Sequence, residues 1–237
     1  MRIDQEKCIG CGLCKMYCPV HAITVVNKKA QIDDDLCTEC GNCRRNCDCK
    51  KEAIYQQPLE FPRTVRSLLS DVRTVYKGVN GRGTEEMKTN DVTGRIKSGY
   101  CGVAVELGRP GVSSTMRDLE KIAKAVATHH GEIEECNPIS QYIPDKKTGV
   151  VDPAVLNERV LSGIIEAIVE IKYLEEMVRA ITEVAKELDT VFSLCVACRV
   201  EDGGKIPSKE IFDKAGIWYR PNGKTCLGLG KPAYAGA

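Results

Sequence analysis

The 237-residue sequence predicts an α+β protein built from two unlike parts. The N-terminal region carries one cysteine run twice, and residues 100–200 alternate strand-like and helix-like segments in the order β-α-β-β-α-β. A content of 43% hydrophobic and 28% charged residues is typical of a chain that folds. We expect one domain at residues 1–57 and another at 100–200, with a linker or binding loop at 58–99 and a tail at 201–237.

The N-terminal cysteines follow the spacing C-x2-C-x2-C-x3-C in two copies. The first copy comprises Cys8, Cys11, Cys14 and Cys18, and the second comprises Cys37, Cys40, Cys43 and Cys47. Zinc frameworks space their cysteine pairs more widely, and disulfides do not explain thiols clustered this closely. The spacing predicts two [4Fe–4S] clusters, in which the fourth cysteine of each run ligates the cluster of the other run. The two ligand sets are then Cys8, Cys11, Cys14 and Cys47, and Cys37, Cys40, Cys43 and Cys18.

Two cysteines are candidates for the last ligand position of the second run. Cys47 has the expected spacing from Cys43, but Cys49 follows two residues later and is in register with the Ala53-Ile54 pair downstream. We favour Cys47, because an insertion after the ligand disturbs the geometry of a cluster less than an insertion inside the ligand run. Cys49 is the alternate ligand.

Together with Pro19 and the Ala22-Ile23 pair after Cys18, the two runs resemble bacterial-type dicluster ferredoxins over residues 1–57. The second run departs from that family, since Asp48 stands where the family has proline. The resemblance implies electron transfer in single-electron steps.

The second half has a regular pattern of strands and helices. Small and apolar residues from Cys101 to Leu107 predict a strand, and Ser113 or Ser114 is the expected cap of the helix that follows. Further strands are predicted at 132–143, 161–171 and 191–198, a helix at 173–188, and a short helix near Pro153. This order is that of a ferredoxin-like domain. The turn at 106–112 resembles the first strand-to-helix turn of ACT regulatory domains, which implies a ligand-binding turn.

Cysteines of the second half allow a third metal site. In the split fold the first and last strands are neighbours, so Cys101 and Cys198 should lie close together. The candidate ligands of a third cluster or metal ion are Cys101, Cys195, Cys198 and Cys226. Against such a site, Cys195 and Cys198 on a straight strand would face opposite sides, and buried structural thiols explain the same residues. Both readings stay open.

Charge and hydropathy limit the classes of partner and the cellular location that we expect. A formal net charge of +1 is unlike that of a protein whose surface neutralises many phosphates, so nucleic acid is not expected. No apolar stretch is long enough to predict a membrane span, and free thiols without a targeting segment predict a cytoplasmic protein, most easily of an anaerobe. An open sheet edge would allow oligomers.

The polar, glycine-containing segment at 81–95 and the organisation around it resemble the N-terminal part of the 6-hydroxynicotinate reductase family. That resemblance implies the electron-transfer half of an anaerobic reductase. Three hypotheses follow: an electron-transfer protein or subunit with a reductase partner, a ferredoxin-dependent reductase in its own right, and an ACT-type ligand-binding or sulfur-metabolism module linked to redox state. The sequence shows no flavin or nicotinamide fingerprint, which favours the first.

Overall fold

A computed structural model of the chain describes residues 1–47, 52–76, 79–80, 94–108 and 111–220. These residues form helices, short strand pairs and a four-stranded sheet, which confirms the predicted α+β class. The Cys49 and Cys226 positions and most of the 81–95 segment lie outside the described residues.

The N-terminal part is a small unit of short elements. Its strands are β1 (Arg2–Ile3), β2 (Ile23–Val26), β3 (Lys29–Ile32) and β4 (Ile54–Tyr55), and its helices are α1 (Leu13–Met16) and α2 (Asn42–Asn46). β1 pairs with β4, and β2 with β3, each antiparallel. Asn27 and Lys28 join β2 to β3 with φ angles of 50° and 60°, as a two-residue hairpin with a type I′ turn requires.

Helix α3 (Thr64–Ser70) joins the two halves of the molecule, and the pair β5 (Val75–Tyr76) and β6 (Val79–Asn80) follows it. Val65 and Leu69 are buried in the hydrophobic core of the second half. The 58–99 segment, which the sequence predicts to be a linker or a binding loop, thus contributes a core helix.

The second half is organised around one antiparallel sheet. Its strands are β7 (Tyr100–Leu107), β9 (Glu132–Ile133), β11 (Gly163–Glu170) and β12 (Phe192–Cys198), in the spatial order β12-β7-β11-β9. Helices α4 (Met116–Thr128) and α5 (Leu174–Val184) follow the first and third of these strands. The order confirms the predicted ferredoxin-like arrangement, in which the last strand lies beside the first.

Smaller elements complete this half. A short pair joins β8 (Ser114–Thr115) to β10 (Arg159–Val160), and α6 (Pro207–Ala215) follows β12. Single 3₁₀ turns lie at Ser140–Tyr142, Pro153–Val155, Ile171–Tyr173, Ala185–Glu187 and Asp202–Gly204. Among the residues described, no helix is both long enough and apolar enough to cross a membrane.

One face of the sheet forms the core. Alternate residues of β7, β11 and the two long helices interlock there; they include Val103, Val105, Leu107, Ile165, Ala167, Val169, Leu119, Ile122, Val126, Met177 and Ile181. These residues recur at every second position in the strands and at every third or fourth position in the helices. Strands and helices are therefore both recognisable from the sequence.

Two local predictions were wrong. Thr115, and not Ser113 or Ser114, caps α4, because its hydroxyl accepts from the N–H of Asp118 while the Asp118 carboxylate accepts from the N–H of Thr115. The predicted strand at 132–143 ends at Ile133, because Asn137 forms a turn in which its side-chain oxygen accepts from the N–H of Ile139 at 2.9 Å.

Candidate metal centre

The two cysteine runs fold into equivalent loops. Gly12 and Gly41 occupy the same place before the third cysteine of each run, and both have left-handed φ angles, 78° and 68°. Each loop is closed by an aspartate carbonyl: Cys8 N–H donates to Asp4 at 2.9 Å, and Cys37 N–H donates to Asp33 at 3.0 Å. The sequence duplication is therefore a duplication of backbone geometry.

The thiols form two groups, each drawing on both runs. Around Cys14 the interacting thiols are Cys47, Cys11 and Cys8. Around Cys43 they are Cys40, Cys37 and Cys18, with Cys14 of the other group as a further neighbour. Each group thus contains three cysteines of one run and the fourth cysteine of the other, and the two groups are adjacent.

Burial and crowding keep the Cys14 and Cys43 thiols protonated when no metal is bound. Burial, followed by the neighbouring Cys47 thiol, raises the pKa of Cys14 to about 11. Burial and the Cys40 thiol raise the pKa of Cys43 to about 12. Thiolates packed this closely need positive charge among them, so binding of iron has to displace protons from these side chains.

A small cavity lies beside the second group. Cys18, Cys37, Cys40 and Cys43 line it, and the remaining walls are Met1, Thr38 and the side chains of Pro19, Val20, Ala22, Ile23 and Ile32. The hydroxyl of Thr38 is buried and has no hydrogen-bond partner among the residues the structure describes. A cluster with sulfide and thiolate acceptors fits such a cavity, because four thiols and an unsatisfied hydroxyl donor meet there.

Backbone amides also point at cysteine sulfur atoms. Ala22 N–H donates to Cys18 Sγ at 3.2 Å, and Ala30 N–H donates to Cys8 Sγ at 3.3 Å. Donors of this kind stabilise the charged form of sulfur and tune the potential of a cluster. One sulfur atom in each group thus has a backbone donor, while no three Cys, His, Asp or Glu side chains among the described residues are already arranged to hold a metal ion.

Basic side chains fix the backbone of the same loops. Lys29 Nζ donates to the carbonyl of Cys8 at 2.7 Å, and Arg66 Nη1 donates to the carbonyl of Cys37 at 2.8 Å. Arg45 donates to the carbonyl of Cys40. Lys29 and Arg66 come from outside the cysteine run that each contacts, and Arg45 comes from within it.

Arg66 also connects the second loop to the sheet domain. Its guanidinium donates to the carbonyls of Asp34 and Asp35, and it forms an ion pair with Glu158, both charged side chains being nearly buried. No sequence pattern indicates this contact, because Arg66 and Glu158 are far apart in the chain.

The fold brings some cysteines of the sheet domain together and keeps others apart. Cys101 and Cys198 are direct partners in the β7–β12 ladder, as predicted. Cys195 pairs with Ala104 and points to the opposite face of the sheet from Cys198. With Cys226 outside the described residues, the third metal site stays a prediction.

The histidines occupy ordinary structural places. His21 is an exposed loop residue with a φ of 53°. His129 ends α4 and contacts Glu176 at 2.8 Å, and the ring of His130 stacks on Tyr173 at 3.8 Å. None of these contacts is with a cysteine.

Comparison with known proteins identifies the first run. Residues 1–24, which include Cys8, Cys11, Cys14 and Cys18, match the family of 4Fe-4S binding domains. No curated protein and no solved structure matches the chain. The N-terminus is therefore a [4Fe–4S]-binding ferredoxin module with an iron–sulfur electron-transfer role. The resemblance to 6-hydroxynicotinate reductases stays a prediction.

Proposed function

We propose that this chain is an electron-transfer protein or subunit that holds two [4Fe–4S] clusters and passes low-potential electrons to a partner reductase. The observation that carries the proposal is the exchange of the fourth cysteine between runs, with Cys47 beside Cys14 and Cys18 beside Cys43. Two ligand sets that share their runs in this way are the signature of two-cluster ferredoxins.

Buried and exposed cysteines of the module have different roles in such a carrier. A [4Fe–4S] cluster supplies one-electron chemistry at low potential. Cys8, Cys14, Cys37 and Cys43 are buried and exclude water from the sulfur atoms, whereas Cys11 is exposed. We place electron entry or exit at Cys11, since a ligand that reaches the surface brings an acceptor closest to the redox centre.

The adjacency of the two thiol groups supports transfer between them. Cys14 and Cys43 interact electrostatically although they belong to different groups. An electron received at one centre therefore has a second centre within short range. The partner, the anaerobic host and the cytoplasmic location stay predictions from the sequence.

The first experiment measures iron and acid-labile sulfide per chain in anaerobically purified protein, with EPR spectroscopy of the reduced sample. About eight irons, and an EPR signal of two interacting centres, would support the proposal. About four irons would overturn the second cluster, and about twelve would add a third site.

Variants then test the ligands one by one. Cys11→Ser and Cys47→Ser should each disrupt the same cluster and leave the spectrum of the other intact. Cys136→Ser is the matched control, since Cys136 is exposed and away from the module. If Cys47→Ser keeps both clusters and Cys49→Ser loses one, the alternate ligand is the right one.

A further inference from the structure

Cys101 and Cys198 face each other across two neighbouring antiparallel strands. They are register partners in the β7–β12 ladder, and both lie on the side of the sheet that packs into the core. Register partners in such ladders have Cα atoms about 4.5–5.5 Å apart, which is within the range that disulfides span. As register partners, their side chains lie side by side on the same face of the sheet.

Cys198 also lies at the start of helix α6. Its Sγ is 3.1 Å from the hydroxyl of Ser208, which is in the first turn of that helix. The neighbouring Cys101 thiol, followed by Ser208, lowers the pKa of Cys198. Cysteines close to a helix N-terminus are among those that react as thiolates.

The two thiols differ in access to solvent. β12 is an edge strand of the sheet, and Arg199 and Val200, which follow Cys198, are exposed. Cys198 is partly buried, whereas Cys101 is fully buried beneath it. A reagent from solution reaches Cys198 first, and Cys101 is then the nearest thiol to the product.

We propose that Cys198 and Cys101 form a dithiol site that exchanges electrons with disulfide substrates, with Cys198 as the attacking thiol and Cys101 as the resolving thiol. The Cys198 thiolate attacks one sulfur of a disulfide R–S–S–R, forms a mixed disulfide and releases one thiolate, which is protonated to RSH. The Cys101 sulfur then attacks Cys198 Sγ, the Cys101 proton passes to the second leaving thiolate, and an intramolecular disulfide forms. The protein dithiol loses two electrons, and the substrate disulfide becomes two thiols.

The site is distinct from the iron–sulfur module. Gly111, just beyond the Leu107 end of β7, lies against Pro19 of the module. Cys101 is at the other end of the strand, six residues from Leu107. Six residues of strand span about 20 Å. The inference therefore does not depend on whether the N-terminal module holds one cluster or two, and either proposal can fail without the other.

The test treats the anaerobically purified full chain with glutathione disulfide, followed by acid quenching, alkylation and peptide mapping by mass spectrometry. The expected product is a disulfide between the peptides of Cys101 and Cys198. Cys195→Ser is the matched control, because Cys195 lies on the same strand and the opposite face; this variant should form the same disulfide. The visible absorbance of the clusters, recorded throughout, separates this reaction from cluster damage.

Variants assign the two roles. Cys101→Ala should stop at a stable glutathione adduct on Cys198, and Cys198→Ser should form neither adduct nor disulfide. Ser208→Ala should slow alkylation of Cys198 by up to roughly fivefold, the worth of one hydrogen bond, when the rate is measured at a pH below the pKa of that thiol. An adduct on Cys195 or Cys136 in preference to Cys198 would overturn the proposal, and so would iron or zinc bound by Cys101 and Cys198.

Discussion

Gly10 and Gly12 flank Cys11, and both hold the first cysteine loop in a left-handed conformation, with φ angles of 68° and 78°. Their surroundings differ. A Cβ atom added to Gly10 would lie 2.2 Å from the carbonyl oxygen of Lys28, whereas one added to Gly12 would meet nothing within 4 Å. The first glycine is needed for space as well as for conformation.

Alanine substitutions should separate these two requirements. Gly12→Ala should cost about 1–2 kcal/mol, the penalty of a left-handed residue with a Cβ atom. Gly10→Ala should cost more, about 2–5 kcal/mol, because the β2–β3 turn has to move as well. The temperature at which the visible absorbance of the clusters is lost measures the difference. Equal losses in the two variants would mean that Lys28 does not restrict this loop.

Thr38 provides a second prediction for a single residue. Its buried hydroxyl lines the cavity of the second thiol group, so in the loaded protein it should donate to a sulfur atom there. Thr38→Val keeps the shape and removes the donor, and should lower the reduction potential of that cluster, because a hydrogen bond to sulfur favours the more negatively charged reduced state. Redox titration followed by EPR spectroscopy measures the change.

Thr38→Ser is the matched variant and should retain most of the wild-type potential, since it keeps the hydroxyl. Iron content should be equal in both variants. A potential that is unchanged in Thr38→Val would show that the hydroxyl does not reach the cluster.

Individual residues were predictable where their chemistry repeats along the chain. The spacing of the eight cysteines was enough to propose both ligand groups, because short loops leave little freedom between successive thiols. Thr38 and Ser208 carry no such signal. A hydroxyl gains its role only from the fold around it, and both residue types are common on protein surfaces.

At the scale of elements, helix α3 is the part that ties the cluster module to the sheet domain. Val65 and Leu69 of α3 are buried in the core of the sheet domain, and Arg66 on the same helix reaches the backbone of the second cysteine loop. Ser70 adds a further contact, since its hydroxyl accepts from the N–H of Leu161 at 2.8 Å. The helix thus packs against the sheet domain and hydrogen-bonds to both parts.

Removal of the Arg66 charge should lower the stability of the protein substantially. Arg66→Met leaves Glu158 as an unpaired, nearly buried carboxylate and takes the donor from three carbonyls, so we expect a loss of about 3–5 kcal/mol in the free energy of unfolding. Arg66→Met combined with Glu158→Gln should recover part of that loss, since no unpaired charge remains. Denaturant unfolding followed by circular dichroism measures both.

An exposed ion pair provides the control. Lys186 and Glu183 form a pair in which both side chains are 69% exposed, and Lys186→Met should change stability by less than about 1 kcal/mol. If Arg66→Met is as mild as Lys186→Met, the buried pair does not hold the two parts together.

The elements themselves were largely predictable. The sheet order followed from strands that alternate and helices with regular apolar spacing, because each element buries one face against the same core. The second strand was predicted too long, since the Asn137 turn that ends it is a local hydrogen-bonding choice. The Arg66–Glu158 pair could not be predicted, because a contact between residues this distant in sequence leaves no pattern.

At the scale of the whole molecule, the two parts have separate hydrophobic cores of different kinds. The core of the sheet domain is made mainly of aliphatic side chains from the sheet and the two long helices, together with Val65 and Leu69 of α3. The core of the N-terminal module is small, and four of its buried members are cysteines: Cys8, Cys14, Cys37 and Cys43. We expect a core this small and this rich in thiols to depend on bound metal for its stability.

Removal of iron should therefore unfold one part and leave the other. Under an iron chelator in anaerobic solution, amide hydrogens of residues 1–47 should lose protection from exchange, because crowded thiols no longer share positive charge. Those of β7, β11 and α4 should keep their protection, since the apolar core of the sheet domain contains none of the cluster cysteines. Hydrogen exchange measured by mass spectrometry follows both parts in one sample, and reconstitution with iron and sulfide, which should restore protection in residues 1–47, is the control.

The pattern of loss also tests the connection made by α3. If the contacts of Arg66 transmit the unfolding of the module, protection from exchange around Val65 and Leu69 should fall together with that of the module. In the Arg66→Met variant, the loss of protection should then be confined to residues 1–47. If protection falls throughout β7 and β11, the two parts form one cooperative unit, and the sheet domain depends on iron as well. Loss of iron with no change in residues 1–47 would contradict the dependence of the module on its metal.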